Sequence, residues 1–530
     1  MISLIKGDII TIEITDMTEE GAGVGHIVLP SEVLETETVV QHEERGITVF
    51  VNGGAVLGDT VLCELTKVKK NYALANLKEV IAYSEHRRED VCPYINDCGG
   101  CAFGMLNYDA QLELKVNQLK NKLTRIAGVD NPKINSMIAY EPYFVDSESA
   151  YRNKAVMAVG EDENGNPIVG FRAAKSHRII DCKTCKIQMQ TVMALADALR
   201  NFMSEYGVRA YDSKSGKGIV KSLMVRTAHE TKEVMAALTI NGSKVPYAEE
   251  LAYSLDDSIQ ALESEYSLES IIIVSEQGKK SSGDAKHKSS PDKKAYVLAG
   301  KQRIKDMLMG LRFDISSESF YQVNSEQTVK LYEEALRMLD AKDGEKIIDA
   351  YCGIGTIGLI AASRSKAKFL GIESVKEAVQ DANKNAIRNL IVNEAFIEGR
   401  AEEVLPKMST AFTDELETTL TDELMSAPTD SPRDEDANEE FETTLMREFA
   451  TPAAIIVDPP RAGMDARLVE AIIKASPRRI VYVSCDQGTL ARDVKLLIDG
   501  GYKLVETTPC DMFPDTGGLE SVSLLSKLTD

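Results

Sequence analysis

The chain reads as an α/β protein: a doubly wound parallel sheet over residues 311–530, preceded by a small β-barrel at 1–82 and a mixed α+β region at 83–310. Three observations lead there. Apolar runs ending at Asp349, Glu373, Asp458 and Cys485 alternate with helical patterns, the rhythm of a parallel sheet that binds ligands at the carboxyl ends of its strands. Near the start, alternating runs such as Asp8 to Ile14 and Thr48 to Val51 are separated by glycines at the spacing of a small barrel. A length of 530 residues exceeds one ordinary core, so two or three domains are expected.

In the barrel, Lys67, Lys69 and Lys70 followed by Tyr72 form either a basic, aromatic edge for nucleic acid or a solvated strand end. An acidic stretch between Pro30 and Arg45 interrupts the pattern and lengthens one loop. In the middle region, Gln277 to Lys294 is rich in Lys, Ser and Gly and reads as a disordered loop. In the last region, residues 406–450 repeat DELETTL as EEFETTL and read as an acidic insertion, with room for short helices.

Composition narrows the class. No window offers the apolar run of a membrane helix, so no membrane contact is expected. The opening MISLIKGDIITIEITD alternates and carries Asp8 and Glu13, a strand pattern and not a signal segment. The cytoplasm is the expected compartment, and no obligate protein partner is evident. Nine cysteines, an odd count without a secreted framework, suggest thiols or metal ligation and not disulfides. The formal charge of −22 weighs against nucleic-acid binding, which needs local positive charge. Residues 411–450, however, hold thirteen acids against two arginines, half of that charge, and leave the remainder only mildly acidic.

The segment KIIDAYCGIGTIGLIAA is a strand running into a glycine turn and a helix, where Gly353, Gly355 and Gly358 admit a ligand to the backbone. Glu373 closes the next strand, placed to take both hydroxyls of a ribose, and Asp458-Pro459-Pro460 ends a later one. The order of these motifs points to S-adenosylmethionine over a nicotinamide cofactor. Cys485 ends the strand RRIVYVSC at the ligand rim. Asp486-Gln487-Gly488-Thr489 then opens a helix whose start favours a thiolate. Cys352 is the competing thiol, but its place in the glycine turn suits packing.

Cys92-Pro93 to Cys101, Tyr151-Arg152-Asn153-Lys154, Ser319 to Asn324, Asp349 to Gly358, Asp458 to Arg461, Ser484-Cys485 and Asp511 to Pro514 follow one another across nearly the whole chain. In this order they resemble the RNA uracil-5-methyltransferases, of the subgroup with a TRAM domain and an iron–sulfur cluster that acts on 23S ribosomal RNA. The resemblance implies a Rossmann-like class I methyltransferase domain, an N-terminal TRAM barrel of the oligonucleotide-binding type and a central α+β domain carrying the cluster. It implies cofactor contacts from Gln322, Tyr351, Gly353, Glu373 and Asp458, with Phe320 against a flipped base. Two departures stand out: Arg400 occupies a place where the family often has an acid, and Gly518-Leu519 replaces the usual pair before Glu520.

The chemistry explains the cysteine. Carbon 5 of uracil is too weak a nucleophile, and a thiolate adding to carbon 6 makes an enolate that can take the methyl group. Cys485 fits that role, and Glu520 fits the base that removes the carbon 5 proton, as the resemblance also implies. Asp458 could also accept a hydrogen bond from the uracil edge.

Cys92, Cys98 and Cys101 with distant Cys185 give four thiolates for one [4Fe–4S] cluster. Equally, Cys98, Cys101, Cys182 and Cys185 give a tetrahedral zinc site and leave Cys92 free. The resemblance takes Cys185 as the fourth ligand and favours iron–sulfur. RNA is the implied partner, ribosomal over transfer RNA because the barrel and cluster resemble the ribosomal branch. The rivals are a cytosine-5 methyltransferase, which usually has a cysteine where Arg461 stands, an amino-group methyltransferase, and a non-catalytic RNA-binding or assembly factor.

Overall fold

Side-chain alternation with period two builds the first unit. Ile12 and Ile14, Val49 and Val51, Val61, Cys63 and Leu65, and Ala73 and Ala75 all turn to one interior. Their strands form a six-stranded sheet in the order Ile9–Glu13, Thr60–Val68, Tyr72–Ala82, Arg45–Asn52, Gly23–Leu29, Asp16–Met17. The sheet curls until its far strands touch: a Cβ on Gly25 would lie 2.4 Å from the Glu13 carbonyl oxygen, so only glycine allows the closure. This computed structural model describes residues 4–29, 45–89, 91–142, 150–277, 292–410 and 435–528. The acidic stretch expected to lengthen a barrel loop, the interior of the lysine- and serine-rich piece, and residues 411–434 of the acidic insertion lie outside the described residues.

The second sheet has seven strands, in the order Asp292–Gly300, Ser267–Gln277, Glu233–Ile240, Val220–Thr227, Lys154–Glu161, Pro167–Arg172, Ile179–Asp181. One face is covered by helices Gln190–Glu205 and Ala248–Gln260, whose Leu195, Leu199, Leu251 and Leu255 are buried against it. The opposite face carries Met224, Met235, Ile272 and Val274 into the core of the C-terminal sheet. Strands Ile304–Leu308 and Leu311–Ile315 pair through Met309 and Gly310, both at positive φ, the two-residue turn that matches strand twist. The boundary expected at 310/311 thus falls inside one hairpin.

The third sheet runs Glu394–Glu398, Lys368–Glu373, Lys346–Ala350, Ala454–Val457, Arg479–Ser484, Glu520–Lys527, Tyr502–Cys510. Its first five strands are parallel; Glu520–Lys527, inserted between Arg479–Ser484 and Tyr502–Cys510, is antiparallel to both, so the edge strand again runs with the first five. This is the expected Rossmann-like layer with one reversed strand beside its edge. Helix Glu435–Glu448 belongs to it, because Leu445 and Phe449 are buried in its core beside Ile455 and Leu370. The expected insertion is therefore narrower at its end than its acidity suggested.

Residues upstream of the second sheet pack on the third. Leu119 and Leu123 of helix Tyr108–Arg125 enter its core, and Lys115 forms a fully buried ion pair with Asp511 at 2.6 Å. Gln111 both donates to and accepts from Asp515. Removing either half of such a buried pair leaves an uncompensated charge, at about 3–5 kcal/mol. These contacts fix the Asp511 to Asp515 turn that leads into the last strand.

Candidate active site

The rim is assembled at the carboxyl ends of the parallel strands. After Lys346–Ala350 the chain turns through Tyr351, at φ 72, and Gly353, whose N–H donates to the Glu373 carboxylate at 3.2 Å. Gly358 donates its N–H to Asp349 at 3.1 Å, and a Cβ there would lie 2.1 Å from a Glu394 oxygen. Glycine is required by that approach. A cleft of about 330 Å³ opens here, lined by Gly353, Ile354, Glu373, Val375 and the exposed Phe320. A peptide N–H beside a carboxylate at the end of a neighbouring strand fits an adenosine-bearing ligand. Gln322 is buried and held through its carbonyl by Asn153 at 2.9 Å, while the Tyr351 ring packs toward Tyr482 and the core behind the rim.

Cys485 and Glu520 meet through strand register. Ser484 pairs with Ser521 in the antiparallel ladder, so the residues beyond them, Cys485 and Glu520, come to the same edge. Glu520 is 3% exposed, its Oε2 has no hydrogen-bond partner among the described residues, and burial together with Asp458 drives its carboxyl well above the usual range. Burial also pushes Asp458 up to about 7. Cys485 is half-buried, and desolvation, reinforced by Glu520 and Asp458, pushes its thiol up to about 12. The helix start expected to favour a thiolate does not do so, because Asp486 caps that helix itself, accepting from the N–H groups of Gly488 and Thr489. Burial thus biases both groups toward their protonated forms.

Other residues of the site had no role assigned from the sequence. The Arg461 guanidinium lowers both Cys485 and Glu520 electrostatically; its signal was its place directly after Asp458-Pro459-Pro460. Tyr332 is buried with Asp458, Asp349 and Glu520 in electrostatic reach, and its hydroxyl lies 3.0 Å from the Thr356 hydroxyl. Helical spacing alone marks it as core. Glu394 is buried without partners for either oxygen among the described residues and is driven well above the usual range by burial and Asp349. At Arg400 the guanidinium pairs with Glu402, a buried carboxylate two residues on that also acts on Tyr351.

The thiols of the cysteine group converge as well. Cys92, Cys98, Cys101, Cys182 and Cys185 line one cavity with Tyr94, Phe171 and Asp515. Cys101 lies in electrostatic reach of Cys92, Cys98 and Cys185; the Cys182 thiol approaches the Ile180 carbonyl at 3.3 Å and is also paired by hydrogen bond with Cys98, so all five thiols belong to one group. As they stand, no group of three or more His, Cys, Asp or Glu among the described residues is arranged to hold a metal ion. Soft thiol donors converging on a shared cavity nonetheless suit an iron–sulfur cluster or zinc. No helix among the described residues is long and apolar enough to cross a membrane.

Three family models match the chain: a TRAM domain at residues 5–78, a methyltransferase domain at 341–433, and a tRNA (uracil-5-)-methyltransferase at 437–528. A protein of Caldanaerobacter subterraneus subsp. tengcongensis, described as an uncharacterized RNA methyltransferase, is 36% identical over 98% of this chain and 99% of its own. One of Listeria monocytogenes serovar 1/2a, described in the same words, is 33% identical over 98% of each chain. Among solved structures, the tRNA (uracil-54, C5)-methyltransferase of Pyrococcus abyssi, in complex with S-adenosyl-L-homocysteine, matches with a TM-score of 0.64 at 24% identity. It covers 97% of this chain and 100% of that one and shares the fold.

Proposed function

This chain belongs to the S-adenosylmethionine-dependent RNA uracil-5-methyltransferases with a TRAM domain, and from that premise we propose that it methylates a uridine of 23S ribosomal RNA through a covalent adduct between Cys485 and carbon 6. The observation that carries the mechanism is the strand register that brings Cys485 and Glu520 to one edge, with Asp458 and Arg461 acting on the same thiol. The cofactor residues are Gln322, Tyr351, Gly353, Glu373 and Asp458. When bound, S-adenosylmethionine supplies an electrophilic methyl carbon.

Cys485 gives up its proton to solvent, to which its half-buried sulfur is open, and its electron pair forms the bond to carbon 6. The displaced π electrons make an enolate across carbons 5 and 4, and carbon 5 takes the methyl group as its bond to the cofactor sulfur breaks and S-adenosylhomocysteine leaves with that electron pair. Glu520, as carboxylate, then removes the proton from carbon 5; the double bond reforms and the carbon–sulfur bond breaks, returning the thiolate. Arg461, which favours the anionic form of both groups, assists each step. Phe320, exposed beside the cleft, provides a stacking face for the flipped base.

Cys92, Cys98, Cys101 and Cys185 would hold a [4Fe–4S] cluster with a structural role, leaving Cys182 outside it; zinc on Cys98, Cys101, Cys182 and Cys185, with Cys92 free, is the alternative. The cytoplasm is the compartment in which we place the protein. Labelled methyl transfer to unmodified 23S ribosomal RNA and to unmodified transfer RNA, followed by nucleoside analysis, tests the reading. Label in 5-methyluridine of the ribosomal RNA supports it. Label in transfer RNA alone moves the substrate, and label in 5-methylcytidine or none overturns it.

A further inference from the structure

Two cations meet on the face of the central sheet that turns toward the C-terminal sheet, and no counter-ion meets them among the described residues. Arg226, in strand Val220–Thr227, pairs in register with Lys154 at the start of strand Lys154–Glu161, so their side chains stand on one face. Like charges directly opposite one another destabilise a sheet. Arg226 is 2% exposed; its Nη2 donates to the Ser319 carbonyl at 2.6 Å, and its Nε and Nη1 have no partner. Among the described residues neither Arg226 nor Lys154 forms an ion pair. Asp306, which accepts from the Tyr321 hydroxyl at 3.3 Å, is already taken by the N–H groups of His229, Glu230 and Met307. Burial and the neighbouring guanidinium push the Lys154 amine down to about 8.

A buried charge without a partner costs several kcal/mol, and a sheet that keeps two of them side by side is arranged for an anion. The location says which. Arg226 carries Ser319, whose neighbour Phe320 is 66% exposed at the cleft. Lys154 is half-buried and reachable, and Val156, two residues on and on the same face, is 59% exposed. Neither cation is among the residues that line the cleft with Gly353 and Glu373, so a cofactor carboxylate is the poorer match.

Building on the RNA methyltransferase reading, we propose that Lys154 grips a backbone phosphate of the RNA next to the nucleotide stacked on Phe320. Arg226 supplies unscreened positive charge from behind and holds the Ser319–Phe320 turn outward. The test is binding of a single-stranded oligouridylate by fluorescence anisotropy across a salt titration, with S-adenosylhomocysteine affinity measured by calorimetry on the same proteins. Lys154→Gln should weaken oligouridylate binding on the order of tenfold and flatten the slope of log affinity against log salt by about 0.7, the loss of one single-strand phosphate contact. Lys154→Arg should restore both, and S-adenosylhomocysteine affinity should not move. Arg226→Met should weaken RNA binding while leaving the melting temperature equal or higher; should it fail to fold, the two Lys154 variants still decide. Unchanged affinity and slope in Lys154→Gln overturn the proposal. So does a loss confined to S-adenosylhomocysteine, which would give the anion to the cofactor. Because binding is read without turnover, an inactive wild type that still shows the Lys154 effect would sink the enzymatic reading and leave the phosphate site standing.

Discussion

Burial of the Cys485 thiol has a measurable consequence. Its thiol is held near 12 against an ordinary 9.0, so at pH 8 about one molecule in ten thousand carries a thiolate, roughly a thousandfold fewer than for a free thiol. The more basic thiolate is intrinsically more nucleophilic, recovering a factor of roughly 15–30. Alkylation of Cys485 by iodoacetamide, followed by peptide mass spectrometry, should therefore run on the order of fiftyfold slower than for a free cysteine at pH 8. Steric shielding adds to that factor but leaves the pH dependence untouched: the rate should rise about tenfold per pH unit through pH 10 without levelling. Arg461→Gln removes the charge that favours the thiolate and should slow alkylation further, whereas Asp458→Asn removes an opposing one and should speed it a few-fold to tenfold. A rate that levels off below about pH 8 would mean a pre-formed thiolate and refute the argument.

Three further outcomes follow from the same site and its surroundings. Glu520→Gln should add, methylate and then stall, leaving a protein–RNA band on a denaturing gel that Cys485→Ala and the double variant lack; normal turnover in Glu520→Gln would assign the proton to another base. Anaerobically purified protein should hold about four irons per chain; Cys185→Ser should lose them and Cys182→Ser keep them, and one zinc without iron would sink the cluster. Burial, with Asp458 adding to it, pushes Asp349 up to about 8 from 3.8, so the folded chain binds this proton more tightly than the unfolded one. Its contribution, roughly 5 kcal/mol at most, is complete below about pH 4 and lost as pH rises through about 8. Asp349→Asn keeps an acceptor for the Gly358 N–H and should flatten the fall in melting temperature from about pH 5 to 9; parallel curves for variant and wild type would contradict this.

Much of this architecture could be read along the chain, for reasons visible in single residues. A parallel sheet delivers every strand end to one rim, so Asp349, Glu373, Asp458 and Cys485, each closing an apolar run, had to come near one another whatever the loops did. The barrel announced itself through alternation that survives as the buried row Val61, Cys63, Leu65. The acidity of 406–450 misled at its far end because Leu445 and Phe449 are two apolar residues in a charged stretch, and only the neighbouring core shows that they are anchors.

What escaped the sequence depends on pairings between distant segments. That Cys485 faces Glu520 follows from the last strand being inserted antiparallel beside Arg479–Ser484, an order that no local pattern encodes. The same neighbour then reverses the expected electrostatics: a strand-end cysteine before a helix looks activated, but the cap is spent on Asp486 and the adjacent carboxyls are buried with it. Arg226 is the parallel case, since SLMVRTA reads as an ordinary strand end until its register partner proves to be Lys154 and no acid among the described residues balances them. At Arg226 and Lys154 the fold holds two cations together at a cost, whereas at Cys485 it makes the thiolate costly and so keeps the proton on sulfur. On the proposed reading RNA answers both, with a phosphate for the two cations and, for the thiol, a carbon 6 that turns an unstable anion into a covalent bond.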